Sequence, residues 1–235
     1  MASGPDQLAL NHASTMGAAL ALLPIGSTFG YYWLPASFQE QLLIQFAPQL
    51  LAYMGLGLWA TRMSHVQAQL GLERKKLRGG FRWGVMTGLL LGALNAFIIL
   101  ALYPSLGYDI TFLMRTPHGQ LPIFLMVPWV ICGIALFVEL NFRGFLLGRL
   151  AGLESHWRGA DSSRRLAPLA LAVSAFTFAF DPFLVNTFQH LHWIALWDGL
   201  IWGSIWLRTR NLYIAIVAHA IEVMVMYGAV RTAIG

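Results

Sequence analysis

Glu139 and Arg143 stand four residues apart in Phe137-Val138-Glu139-Leu140-Asn141-Phe142-Arg143-Gly144, at the end of a long apolar run. One helical turn puts the acid and the base on a common face. At membrane depth such a pair is expensive unless it is buried in protein and used. His219 and Glu222 form a second constellation, three residues apart. A carboxylate beside an imidazole fixes its tautomer and raises its basicity. Asp198 is the fifth ionisable group inside an apolar segment. Carboxylates desolvated near His or Arg are groups tuned for proton transfer, so the chemistry these five suggest is general acid–base work. They read equally as buried ion pairs that lock a helical bundle, and both readings stand at this point.

The elements that carry these groups follow from composition. Apolar residues make up 57% of the 235 positions and charged residues 11%, with a mean hydropathy of +0.62. A soluble domain carries about 25% charged residues. The apolar stretches approach the ~20 residues that cross a bilayer as helix, and the alternating segments of a membrane β-barrel are absent. The expected fold is all-α: a polytopic transmembrane bundle of about seven spans, forming a single integral membrane domain over 1–235. The spans are expected near 14–34, 41–61, 83–103, 122–147, 167–183, 189–207 and 212–230, with room for a further short helix in 105–120 or 150–165.

Charge orients the bundle. Arg62, Arg74, Lys75, Lys76, Arg78 and Arg82 fall in the 62–82 connection. Arg149, Arg158, Arg164 and Arg165 fall in 148–166, and Arg208 and Arg210 in 207–211. With seven spans these connections share one face, which the positive-inside rule makes cytoplasmic together with the N-terminus. Glu139, Arg143, Asp198, His219 and Glu222 are then expected in one layer of the inner half, His219 and Glu222 roughly 10–15 Å from the cytoplasmic end of their helix. The net charge of +5 is topological and excludes nucleic acid as the expected partner; the partner is the membrane itself. The first twelve residues contain no Lys or Arg, so no basic leader region is expected. Cys132 is the single cysteine and allows no internal disulfide. No cofactor and no metal is expected.

Small residues recur at four-residue spacing in Gly84/Gly88/Gly92, Gly144/Gly148 and Gly199/Gly203. Each series permits close helix approach in lipid, and packing inside the bundle is the expected use, ahead of dimerisation. Pro48 and Pro128 should kink their spans. Trp193, Trp197, Trp202 and Trp206 run along span six; those at its ends are expected as interface anchors, and Trp193 and Trp197, four residues apart, are expected at lipid.

Glu139-Leu140-Asn141-Phe142-Arg143-Gly144-Phe145-Leu146-Leu147 resembles the first motif of the CPBP family, the CAAX-protease and bacteriocin-processing intramembrane proteases, whose usual form is Glu-Glu-x-x-x-Arg. The stretches Gly199 to Gly203 and Leu207 to Leu212 are similar to the family's approach to its last motif. Ala218-His219-Ala220 is similar to the final His-Ala-x-x-Asn. Leu70-Gly71-Leu72 and Arg82-Trp83-Gly84 resemble its lead-in, so the likeness covers about 70–225.

The resemblance implies an intramembrane peptidase in which a glutamate and a histidine activate water and a further His and Asn stabilise the oxyanion, without bound metal. Three positions depart from that pattern. Val138 stands where the first Glu belongs, Pro182 where the second motif's His follows Phe178, and Val223 where the final Asn belongs. An alternative Phe-x-x-x-His runs from Phe188 to His192, close to Gly199. Two functions therefore stay open. The favoured one is a catalytically impaired pseudoprotease that binds a membrane-protein client as scaffold, subunit or assembly factor. The other is an active endopeptidase with a remodelled Glu/His site, acting on a prenylated or hydrophobic peptide. A transporter or proton channel is disfavoured by the poverty of polar residues in the outer half, where only Asp181, His190 and His192 stand out. The expected location is the inner membrane of a bacterium.

Overall fold

A computed structural model describes residues 15–158 and 167–235; Arg164 and Arg165, assigned above to a basic connection, lie outside the described residues. The principal helices are α1 (Thr15–Tyr31), α2 (Leu42–Ala60), α3 (Leu77–Phe97), α4 (Cys132–Glu139), α5 (Gly148–Arg158), α6 (Pro168–Ala179), α7 (Pro182–Phe188), α8 (Ile194–Thr209) and α9 (Leu212–Ile234). No strand occurs among the described residues, and the protein is an all-α membrane bundle. Backbone that cannot hydrogen-bond to lipid closes its own bonds within helices. The connection before α4 contains short helices at Thr111–Arg115 and Pro117–Gln120, where the sequence left room for one. Pro128, which lacks an amide donor, sits in a π-helical stretch, Met126–Ile131.

Four helical runs among the described residues are long and apolar enough to cross a membrane: Leu42–Ala60, Val66–Ser105, Ile123–Arg158 and Leu212–Ile234. The count rises to five if the bent pair Pro168–Ala179 and Pro182–Thr209 is one span, and Ala19–Tyr31 is a shorter apolar helix. The expected spans 167–183 and 189–207 are the two arms of that bent pair, and the expected first span corresponds to the shorter helix.

The chain divides into two compact units, one of residues 1–73 and 140–212, the other of residues 74–139 and 213–235. In the first unit α8 runs back along α6. A Cβ on Gly199 would stand 3.0 Å from that of Ala175, and one on Gly203 would stand 2.5 Å from Leu171 Cδ1. As one number rises the other falls, so the helices are antiparallel, and Pro168 and Thr209 lie toward the same end. Their turn is made at Asp181, whose carboxylate accepts from Leu184 N at 3.3 Å and caps α7. Pro182 occupies the first helical position, where its missing N–H is not needed.

In the second unit α9 lies beside α3. A Cβ on Gly84 would meet Ile214 and Val217, one on Gly88 would meet Ala218 and Ile221, and one on Gly92 would meet Glu222 and Val225. The two numbers climb together, so these helices are parallel. The stretch leading into α4 runs the other way along α9. Tyr227 Oη donates to Leu121 O at 3.3 Å near one end, and His219 meets Glu139 near the other. Met126, Ile131, Ala135 and Ala220 form the apolar core between them. The glycine series thus serve helix contacts within each unit.

Candidate functional site

Three helices of the second unit each bring a polar side chain into its buried interior. His219 Nδ1 lies 2.8 Å from Glu139 Oε1, and Asn95 Nδ2 donates to Glu222 Oε1. Glu139, Glu222 and Asn95 are 0% exposed and His219 is 7% exposed. Helix geometry explains the grouping. His219 and Glu222 leave α9 one turn apart, and Glu139 arrives as the last residue of α4. Asn95 follows Gly92 by one turn on α3. With no side chain at Gly92, the helices approach until a Cβ there would be 3.1 Å from Glu222 Cα. A short amide then spans the gap.

The arrangement is a carboxylate–imidazole dyad next to a carboxylate–amide pair. A neutral His219 that donates Nδ1–H to Glu139 presents Nε2 as a proton acceptor; a protonated one forms an ion pair with the same carboxylate. The amide of Asn95 satisfies one lone pair of Glu222 without adding charge. Asn95 is the functional candidate that sequence reasoning missed. Its signal was available, a lone amide in the apolar run Leu91-Gly92-Ala93-Leu94-Asn95-Ala96-Phe97.

The other two expected site residues belong to the first unit. Arg143 lies in the π-helix Leu140–Leu147 that continues α4. It is 1% exposed, with its guanidinium 4.4 Å from the ring centre of Phe178 and 5.3 Å from that of Trp202. Such cation–π contacts hold a cation inside an aromatic wall. The π-helical backbone is buttressed by Ser174, whose hydroxyl donates to Phe142 O at 3.0 Å. Asp198 sits on α8 and is buried. Trp202 and Trp206 are buried, and Trp206 Nε1 donates to Leu70 O at 3.2 Å. Aromatic rings on a glycine-bearing face turn inward because that face is the packed one.

The three departures from the motif pattern have structural occupations. Pro182 starts α7. Val223 packs against the Met126–Ala220 core, and Val138 is partly buried. The alternative histidine, His192, lies in a short 3₁₀-helix, its Nδ1 2.6 Å from Gln189 O and its ring beside Phe180 and Trp193. Among the described residues no group of three or more His, Cys, Asp or Glu side chains is placed to hold a metal ion. Glu139 and His219 give only two ligands, so that donor set does not fit one.

Residues 120–225 match the family model described as type II CAAX prenyl endopeptidase Rce1-like. Glu139, Arg143, Asp198, His219 and Glu222 all lie within that match, and Asn95 lies before it. No curated protein and no solved structure matches the chain.

Proposed function

From the premise that the chain, through residues 120–225, belongs to the CPBP family of CAAX-protease-type membrane proteins, we propose that it is a catalytically impaired member. It binds a segment of another membrane protein and serves as scaffold, subunit or assembly factor, in the inner membrane of a bacterium. One observation carries this reading. The positions at which the family resemblance calls for a histidine and an asparagine are held by Pro182, a helix-starting residue, and Val223, a partly buried residue packed against the apolar core. The resemblance also puts Val138 where the family's presumed base, the first Glu, belongs; loss of a general base forfeits about 10²–10⁴-fold in rate, and loss of one oxyanion donor about 10²–10³-fold. None of these positions can regain its role by a side-chain rotation. The surviving polar groups engage one another, His219 with Glu139 and Asn95 with Glu222.

The 2.8 Å contact between Glu139 and His219 favours one alternative, an active endopeptidase. In it the dyad removes a proton from water, the resulting hydroxide attacks the peptide carbonyl, and the proton passes to the leaving amine. The test uses the purified full chain in detergent with a prenylated peptide and a hydrophobic peptide. The scaffold reading expects no turnover by the wild type and co-purification of a membrane protein. Turnover that is abolished by Glu139→Gln and by His219→Ala overturns it in favour of the peptidase.

A further inference from the structure

Arg149 is a buried cation with no carboxylate paired to it among the described residues. It leaves α5 inside the first unit and is 4% exposed. Its guanidinium carbon sits 4.5 Å from the ring centre of Trp59, which is 2% exposed. Its Nη2 donates to the neutral Gln69 Oε1 at 3.4 Å. Among the described residues, Nε and Nη1 of Arg149 have no acceptor, and neither has Nε1 of Trp59. Every open polar atom of this stack is therefore a donor.

The neighbouring charge has the wrong sign to help. Arg210 is placed nearby through Trp206, whose ring would stand 3.2 Å from a Cβ on Gly148, the residue before Arg149. Its own guanidinium is stacked 4.5 Å over Trp206. The nearest carboxylate along α5, Glu154, is engaged by Arg158 at 2.8 Å and by Ala170 N at 2.8 Å. A buried, uncompensated charge costs several kcal/mol. A donor-only site beside two guanidinium groups is chemically an anion site.

We propose that Arg149 and Trp59, with Arg210 beside them, form a binding site for the phosphate group of an anionic phospholipid. Guanidinium matches phosphate in a planar two-point fork, and an indole N–H supplies a third donor. Lipid is the favoured source because Arg62 follows Trp59 by three residues, and Arg158, through Glu154 and Ala170, lies toward the end of α6 that α8 reaches at Arg208; by the positive-inside rule such clustered arginines face the cytoplasmic leaflet, where anionic headgroups concentrate. The site is separate from the Glu139–His219 dyad, so its test reads independently of the proposed function.

The full chain, purified in a neutral detergent, is mixed with phosphatidylglycerol, phosphatidylcholine or inorganic phosphate. Retained ligand is read by native mass spectrometry and stability by thermal unfolding. Phosphatidylglycerol is expected to stay bound and to raise the unfolding midpoint more than phosphatidylcholine does. Arg149→Gln should weaken its binding roughly ten- to a hundredfold, the scale of losing charge-assisted hydrogen bonds. Trp59→Phe keeps an aromatic ring beneath the cation while removing the indole N–H together with part of the ring, so it should fold and bind measurably more weakly. Arg149→Lys keeps the charge without the fork and should also bind more weakly. Protection by inorganic phosphate but not by phosphatidylglycerol overturns the lipid source and assigns the site to a soluble phosphate. Protection by neither, or binding of phosphatidylglycerol by Trp59→Phe and Arg149→Lys as tight as by the wild type, overturns the site itself.

Discussion

Replacing Gly88 by alanine adds one methyl group, and the place it enters is already occupied. Its Cβ would stand 2.6 Å from Ala218 O, 2.8 Å from Ile221 Cβ and 3.0 Å from Ala218 Cα. Ordinary contact begins at 3.4 Å, so the carbonyl contact is short by 0.8 Å (3.4 less 2.6). Two of those three atoms are backbone, which cannot swing aside; α3 and α9 must separate. Overpacking of this kind costs about 1–3 kcal/mol, and backbone obstruction puts Gly88→Ala toward the upper end. The intrinsic helix gain of alanine over glycine offsets about 1 kcal/mol, leaving a net loss of about 2 kcal/mol. For a chain of this size that lowers the thermal midpoint by about 4–8 °C.

Gly79 is the internal control, because it lies on the same helix and has nothing within 4 Å. Gly79→Ala should keep the helix gain alone and raise the midpoint by a few degrees. Both variants are assayed by thermal unfolding in one detergent. Separation of α3 from α9 should also draw Asn95 away from Glu222, read as a further loss when Asn95→Ala is combined with Gly88→Ala that is smaller than additive. Equal midpoints for the two alanine variants would refute the close parallel approach of α3 and α9.

Other perturbations follow from the same geometry. Asn95→Ala strands a buried acceptor of Glu222 and should cost about 1–3 kcal/mol, whereas Asn95→Leu with Glu222→Leu should cost less than the sum of the single changes in a double-mutant unfolding cycle. Gly71 has φ +81°, and a Cβ there would stand 2.4 Å from Arg210 O; Gly71→Ala should lose about 3 kcal/mol in the same unfolding assay. Gln189 holds φ 49°, ψ −129°, a conformation suited to glycine, so Gln189→Gly should gain about 1 kcal/mol. Burial holds the His118 imidazole below its ordinary 6.5, so the unfolded chain takes up that proton first. Stability should be full above pH 6.5 and fall as pH drops below it, and His118→Asn should flatten that limb of a pH–midpoint profile.

The burial of five candidate residues was legible before any coordinates, for a physical reason. An ionisable group in an apolar run is so costly in lipid that it must face protein, which singled out Glu139, Arg143, Asp198, His219 and Glu222 from sequence position alone. Asn95 carries the same signal more faintly, because an uncharged amide is cheaper to bury and does not stand out as a charge does. The inward position of Trp202 and Trp206 follows from the small residues beside them, Gly199 and Gly203, which mark that face as a packing surface.

Composition determined the all-helical membrane class, because backbone in lipid has no other partner than itself. The spacing of glycines determined which helix faces could approach closely. Which helix lies against which face was decided only in three dimensions. Local spacing fixes a residue's direction from its own axis but carries no information about the partner 80 residues away. The meeting of His219 with Glu139, and the aromatic stack beneath Arg149, are consequences of that packing and of nothing shorter in range.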